Sequence, residues 1–178
     1  MAQTFVISDT HFYHKNIIKY CNRPFKDELH MNEVLIENWN SVIKEYDLVI
    51  HVGDFIFGDQ IKADKIIRRL KGRIHLIRGN HDKKLWNFFN NEWPNKIVAL
   101  ENDYYHSHKG LIWFSHYPED VINGVTKNNT LICGVDFHIH GHIHDNVTND
   151  PTKFNASVEQ IGYKPVLLGD IISQFGNK

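Results

Sequence analysis

Apolar residues come along this chain in short, dense runs, each closed by a small polar cluster. Thr4–Ser8, Leu48–Val52, Ile74–Ile77, Leu111–Phe114 and Phe137–Ile139 are rich in Val, Ile, Leu and Phe rather than cleanly alternating. That pattern predicts strands covered on both faces. Between the first two runs, Met31, Val34, Leu35, Val42 and Ile43 recur at three- and four-residue steps, which predicts a helix over Glu28–Glu45. A second helix is predicted over Lys62–Leu70, with Ile66, Ile67 and Leu70 inward, ending near Gly72, where a left-handed cap costs little. A third, shorter helix over Lys83–Asn91 stops before Pro94.

Strands alternating with helices predict an α/β layered domain through residue 92. The second half changes character. There Lys96–Leu100, Leu131–Cys133, Phe154–Val158 and Pro165–Leu168 add strand signals, with Gly110 and Asn128-Asn129 as turns. No repeat, low-complexity tract or linker interrupts the 178 residues, so residues 1–178 read as a single domain.

Composition narrows the function classes. Hydrophobic residues at 42% and charged residues at 23% are those of a soluble globular protein. A formal net charge of −1, with no basic stripe or tail, argues against a general nucleic-acid or membrane surface. No apolar run reaches the roughly 18 residues of a membrane span. Met1-Ala2-Gln3-Thr4 leads straight into a strand without a signal segment. Cys21 and Cys133 are isolated, outside every polar cluster, which fits a reducing, cytoplasmic setting without disulfides. Histidine is the unusual component: thirteen in all, seven of them from His106 to His144.

The polar clusters carry the chemistry. They are Asp9-Thr10-His11, Gly53-Asp54, Gly79-Asn80-His81-Asp82, Ser115-His116-Tyr117-Pro118 and Gly141-His142-Ile143-His144. In an open α/β sheet, ligands collect at the carboxyl ends of strands, where these clusters fall. Asp9 and His11 are two residues apart, as are His142 and His144. On an extended strand end each pair points one way, roughly 6.5–7 Å apart, and can converge on one ion or on an adjacent pair. Gly53 and Gly141, each just before a ligand, permit close approach and sharp bends. The two oxygens of Asp54 suit a bridge between ions about 3.5–4 Å apart. Asn80 supplies a neutral carbonyl oxygen and His116 a further imidazole. Imidazole, carboxylate and amide without thiolate favour two divalent ions, manganese first, with iron, zinc, nickel or cobalt as alternatives. Asp9, Asp54 and a bridging hydroxide would leave about one positive charge facing outward, an attraction for a phosphate oxyanion. Alone, Gly53-Asp54 reads as a turn and Asn80-His81-Asp82 as a helix cap. Their joint occurrence in this order is what points to metal.

The series resembles the calcineurin-like metallophosphoesterase family, over residues 9–144 and in the family's order. The resemblance implies a four-layer α/β/β/α sandwich with a dinuclear site at the strand ends. It implies that Asp9, His11, Asp54 and His144 hold one ion, and that Asp54, Asn80, His116 and His142 hold the other. His81 would face the substrate, and Asp82 would orient it. Gly53-Asp54-Phe55-Ile56-Phe57 departs from the family's Gly-Asp-x-x-Asp, and no arginine follows. The gap from His11 to Gly53 is long, and the chain has no cap domain, like small bacterial or phage members.

The expected activity is hydrolysis of a small phosphoester, nucleotide-like, by in-line attack of a metal-bridging hydroxide on phosphorus. His81 would act as acid or phosphate-polarising group, with Asp82 orienting its imidazole. A phosphodiester is favoured over a monoester because no arginine follows Asp54 to clamp a dianion. A phosphomonoesterase, a nuclease of the same chemistry and a non-catalytic binding scaffold are the alternatives. No membrane partner and no strong nucleic-acid surface are expected.

Other residues carry weaker readings. His138, His140 and His51 read as packed strand residues, and His75, His106 and His108, without partner spacing, as solvated or as supports behind the ligands. Phe12, Tyr13, His14 and Tyr117 could wall a base or aryl group. Lys15, Arg23 and Arg78 could contact phosphate, and Asn155 has no assigned mechanism.

Overall fold

A computed structural model describes residues 1–118 and 134–175. The predicted Leu131–Cys133 strand and Asn128-Asn129 turn lie outside the described residues. Strands β1 (Thr4–Ile7), β2 (Leu48–His51), β3 (Arg73–Ile77) and β4 (Ile97–Leu100) form the parallel part of one sheet. Its order is β4-β3-β2-β1-β9, and β9 (Val166–Leu167) runs antiparallel to β1. The second sheet has the order β5-β6-β7-β8, from Asp103–Ser107, Gly110–Phe114, Val135–His140 and Lys153–Asn155. In it β5 is antiparallel to β6, and the other pairs are parallel.

The helices follow the sequence pattern with shifted ends. Helix α1 (Ile17–Tyr20) is a single turn with no periodic signal of its own. Helix α2 spans Glu28–Val42, and the Asp27 carboxylate caps it by accepting from the His30 N–H at 2.8 Å. It buries Met31, Leu35, Ile36 and Trp39 and stops earlier than predicted, because Ile43 turns extended. Helix α3 (Gln60–Ile67) is capped by Asp59 on the Lys62 N–H. The third predicted helix divides into a 3₁₀ turn, Asp82–Leu85, and α4, Trp86–Glu92.

Two apolar clusters separate the layers. Phe5, Ile7, Val49 and Leu76, on one face of the first sheet, pack against Met31, Trp39, Ile66 and Ile67 of the helices. Val6, Ile50 and Ile77, on its other face, pack against Ile112, Phe114 and Ile139 of the second sheet. This is the expected α/β sandwich, with two sheets face to face and helices α2 and α3 packed on the outer face of the first. The apolar run at Pro165–Leu168 is only in part a strand, because α5 (Leu168–Gln174) begins there. Leu168, Ile171, Ile172 and Phe175 have helical spacing and close the edge of the inter-sheet core, where Phe175 stacks on Phe137 at 4.3 Å.

Candidate metal centre

Every proposed ligand follows the carboxyl end of a strand: Asp9 and His11 after β1, Asp54 after β2, Asn80 after β3, His116 after β6, His142 and His144 after β7. Parallel pairing sets Ile7 beside His51, so the loops after β1 and β2 leave together. They stay joined where the Asp9 and His11 N–H groups donate to the Gly53 and Asp54 carbonyls, both at 3.0 Å.

The donors converge by a route the spacing did not show. The sequence reading has Asp9/His11 and His142/His144 on extended backbone. Instead all four, and Asp54, sit in the left-handed region, with φ between 48° and 71°. An extended pair stays roughly 6.5–7 Å apart. The left-handed turns bring His11 Nε2 within 3.9 Å of Asp9 Oδ1 and 3.4 Å of Asp54 Oδ2. His144 Nε2 is also 3.9 Å from Asp9 Oδ1. On the other side of Asp54 Oδ2, His116 Nε2 stands at 3.5 Å. It also faces Asn80 Oδ1 at 3.1 Å and His142 Nδ1 at 3.3 Å.

The hydrogen bonds leave lone pairs pointing inward. His116 Nδ1 donates to the Val52 carbonyl at 2.9 Å, so the proton that a cation would displace is the one on Nε2, which faces the Asp54, Asn80 and His142 acceptor atoms. Asp9 Oδ2 takes the His142 N–H and the Ser157 hydroxyl, while the buried Asp9 Oδ1 and His11 Nε2 have no hydrogen-bond partner. Asp54 Oδ1 accepts the His81 N–H at 2.9 Å, leaving Oδ2 between the two groups. Such a set of facing acceptors is what two adjacent cations would satisfy. Charge agrees. Burial works to raise the Asp54 carboxyl, but the His116 and His11 imidazoles and the His81 amide outweigh it and hold the group well below its usual range. Burial opposes charge on His116, yet Asp54 and Asp9 draw it up to about 9. The cluster attracts positive charge.

The sequence profile of the calcineurin-like phosphoesterase superfamily domain matches residues 3–154. The chain belongs to that family. An uncharacterized protein of Methanocaldococcus jannaschii is 38% identical to it, over 97% of this chain and 90% of the relative. The crystal structure of a protein of unknown function from Aquifex aeolicus has a similar fold, with a TM-score of 0.72 and 30% identity. That likeness covers 97% of this chain and 99% of the other. The family is divalent-metal dependent, and Asp9-His11-His144 and Asp9-Asp54-His116 form groups able to hold such ions. Among the described residues, no helix is long and apolar enough to cross a membrane.

Several residues around the family site differ from their sequence readings. The Asp82 carboxylate does not orient the His81 imidazole. It is fully buried and accepts from the backbone N–H groups of Asp54, Phe55 and Gly79 at 2.8–2.9 Å. Burial, with Asp54 nearby, raises it to about 6 despite those donors. Asp82 therefore fixes the turn that carries Asp54. The His81 side chain is 39% exposed, with Nε2 4.0 Å from Asp54 Oδ2.

Arg23 is not a phosphate contact. It is buried, donates to the Asp9 and Thr10 carbonyls at 2.8 and 3.1 Å, and pairs with Glu159 at 2.7 Å. Arg78 is engaged by Glu101 at 2.8 Å. Glu159, which the sequence reading missed, also accepts from His144 Nδ1 at 3.1 Å and so turns Nε2 inward. Asn155 donates to the His144 and Asn146 carbonyls and accepts from Ser157, the residue that holds Asp9. Cys21, isolated in sequence, lies within 4.8 Å of His144 and Glu159 donor atoms. His51 and His138 are packed as read, bonded to Thr10 and Ser115 hydroxyls. His140 is fully buried, its Nδ1 donating to the Gly141 carbonyl. His75 instead pairs with Asp103 at 2.9 Å.

Proposed function

We propose that the protein is a dinuclear, divalent-metal-dependent phosphodiesterase acting on a small, nucleotide-like ester in the cytoplasm. The observation that carries this reading is the convergence of donors on both sides of Asp54 Oδ2, with a half-exposed imidazole, His81, at the same oxygen. Asp9, His11, Asp54 and His144 would hold one ion, and Asp54, Asn80, His116 and His142 the other. When bound, such ions supply Lewis acidity and lower the pKa of coordinated water toward about 7. His81 is placed to donate from Nε2 to the departing ester oxygen or to polarise a non-bridging one. Arg23, Glu159 and Asp82 act at one remove, holding the Asp9, His144 and Asp54 turns.

Diester preference follows from the guanidinium groups. Arg23 and Arg78, the two arginines that the sequence offers as phosphate contacts, are committed to Glu159 and Glu101, so neither is free to clamp a dianionic monoester. The test compares bis(4-nitrophenyl) phosphate with 4-nitrophenyl phosphate on protein loaded with Mn, Ni, Co, Zn or Mg. A higher kcat/KM for the diester, best with Mn, is expected. A monoester preference overturns the ordering. His81→Ala should keep both ions and lose turnover, most severely with a poor leaving group.

A further inference from the structure

Two cavities meet at His14 and His81. One, about 310 Å³, lies over the donors and is bounded by His11, Asp54, Asn80, His142 and His144. The other, about 480 Å³, opens on the far side of the same two imidazoles. His14 is anchored there because its Nδ1 accepts the Ile17 N–H at 2.9 Å, which leaves the ring proton on Nε2. Its ring lies 5.8 Å from that of His81.

The second cavity is cationic in a chain whose formal net charge is −1. Lys15, Lys62 and Lys84 line it. Its lining carboxylate, Asp59, is occupied in capping α3 on the Lys62 N–H. No ion pair engages any of the three ammonium groups among the described residues. Lys62 Nζ sits 5.2 Å over the Tyr13 ring. At the boundary, Phe57 stays 48% exposed, with its ring 4.3 Å from His14 and 5.7 Å from His81. An exposed aromatic face beside a phosphate site can stack a base. The volume lies in the range of small-molecule sites.

We propose that this cavity is the subsite for one arm of the ester, and that the arm is anionic and nucleotide-sized. The substrate class is then a phosphodiester bearing a further phosphate, which the lysines receive while Phe57 meets its base. The inference rests on the phosphodiesterase reading and adds the charge and size of one arm to it.

Calorimetric titration of the Mn-loaded protein with adenosine 5′-diphosphate, adenosine 5′-monophosphate and pyrophosphate tests it. The diphosphate should bind about tenfold more tightly than the monophosphate, and Lys62→Ala/Lys84→Ala should bring that ratio toward one. Phe57→Ala should weaken the nucleotide and spare pyrophosphate. Equal nucleotide affinities in the wild type, or a ratio that persists in the lysine variant, overturn the anionic subsite. An unchanged nucleotide affinity in Phe57→Ala overturns the base contact. Turnover of bis(4-nitrophenyl) phosphate, followed in parallel, separates the two readings. Failure there with the affinity ratio intact refutes the phosphodiesterase alone, and the converse refutes the subsite alone.

Discussion

A methyl group at residue 141 would land on Ser8 Oγ and Asp9 Oδ2. Residue 141 does not have a positive φ, so the glycine is required by contact and not by backbone freedom. Gly141→Ala should displace Asp9, cost about 1–3 kcal/mol of overpacking and release the ion held with His11 and His144. Metal analysis together with urea unfolding checks it; full metal content would show that Asp9 does not depend on this contact. Glu159 makes a second residue-scale case. Glu159→Gln keeps the shape but removes the charge from His144 Nδ1 and from Arg23. Affinity for one of the two ions should fall roughly 10–100-fold. Competition with a chromogenic chelator reads this directly, and unchanged affinity would assign Glu159 to folding alone.

At the scale of elements, α4 supports the Asp54 turn through Phe89, which is fully buried with its ring 5.9 Å from that of Phe55. Phe89→Ala should cost about 3–5 kcal/mol in urea unfolding, with an unchanged m-value. The strands that carry ligands were legible because each is a dense apolar run that stops at a polar cluster. The ligands themselves were legible because residue type and order survive without geometry. Left-handed backbone at Asp9 and His11 was not legible, since neither residue type demands it. Glu159 was missed because it lies fifteen residues beyond His144 with no spacing rule between them; only folding brings them together. Asp82 was misread because a carboxylate next to a histidine in sequence looks like its partner, while its backbone bonds run to the loop after β2 and to Gly79 in its own loop. Strand β5 was missed because Asp103, Tyr104, Tyr105, His106 and Ser107 lack an apolar face. Helix α5 did carry a signal, the three- and four-residue spacing of Leu168, Ile171, Ile172 and Phe175.

For the whole molecule, the buried histidines set an acid limit. Burial lowers His51 to about 3 and His138 well below its ordinary value. Both stay neutral in the fold, whereas the unfolded chain protonates them near 6.5. The His51 contribution is therefore complete above about pH 6.5 and is lost as pH falls toward 3, by up to ~1.4 kcal/mol per pH unit, and His138 acts in the same direction. Urea unfolding between pH 7.5 and 5 should show this slope, and His51→Gln should flatten it. An identical slope in the variant would remove His51 from the account.

The proposed donors come from both halves of the sandwich: Asp9, His11, Asp54 and Asn80 from the first sheet, His116, His142 and His144 from the second. Cations seated among them would act as a cross-brace over the seam, adding to the hydrogen bonds that already cross it from His116 to Val52, from His142 and Ser157 to Asp9, and between Ser8 and the Ala156–Val158 backbone. Stripping them with a chelator should therefore speed amide exchange first along the facing strand ends, while the helices over β2 and β3 keep their protection.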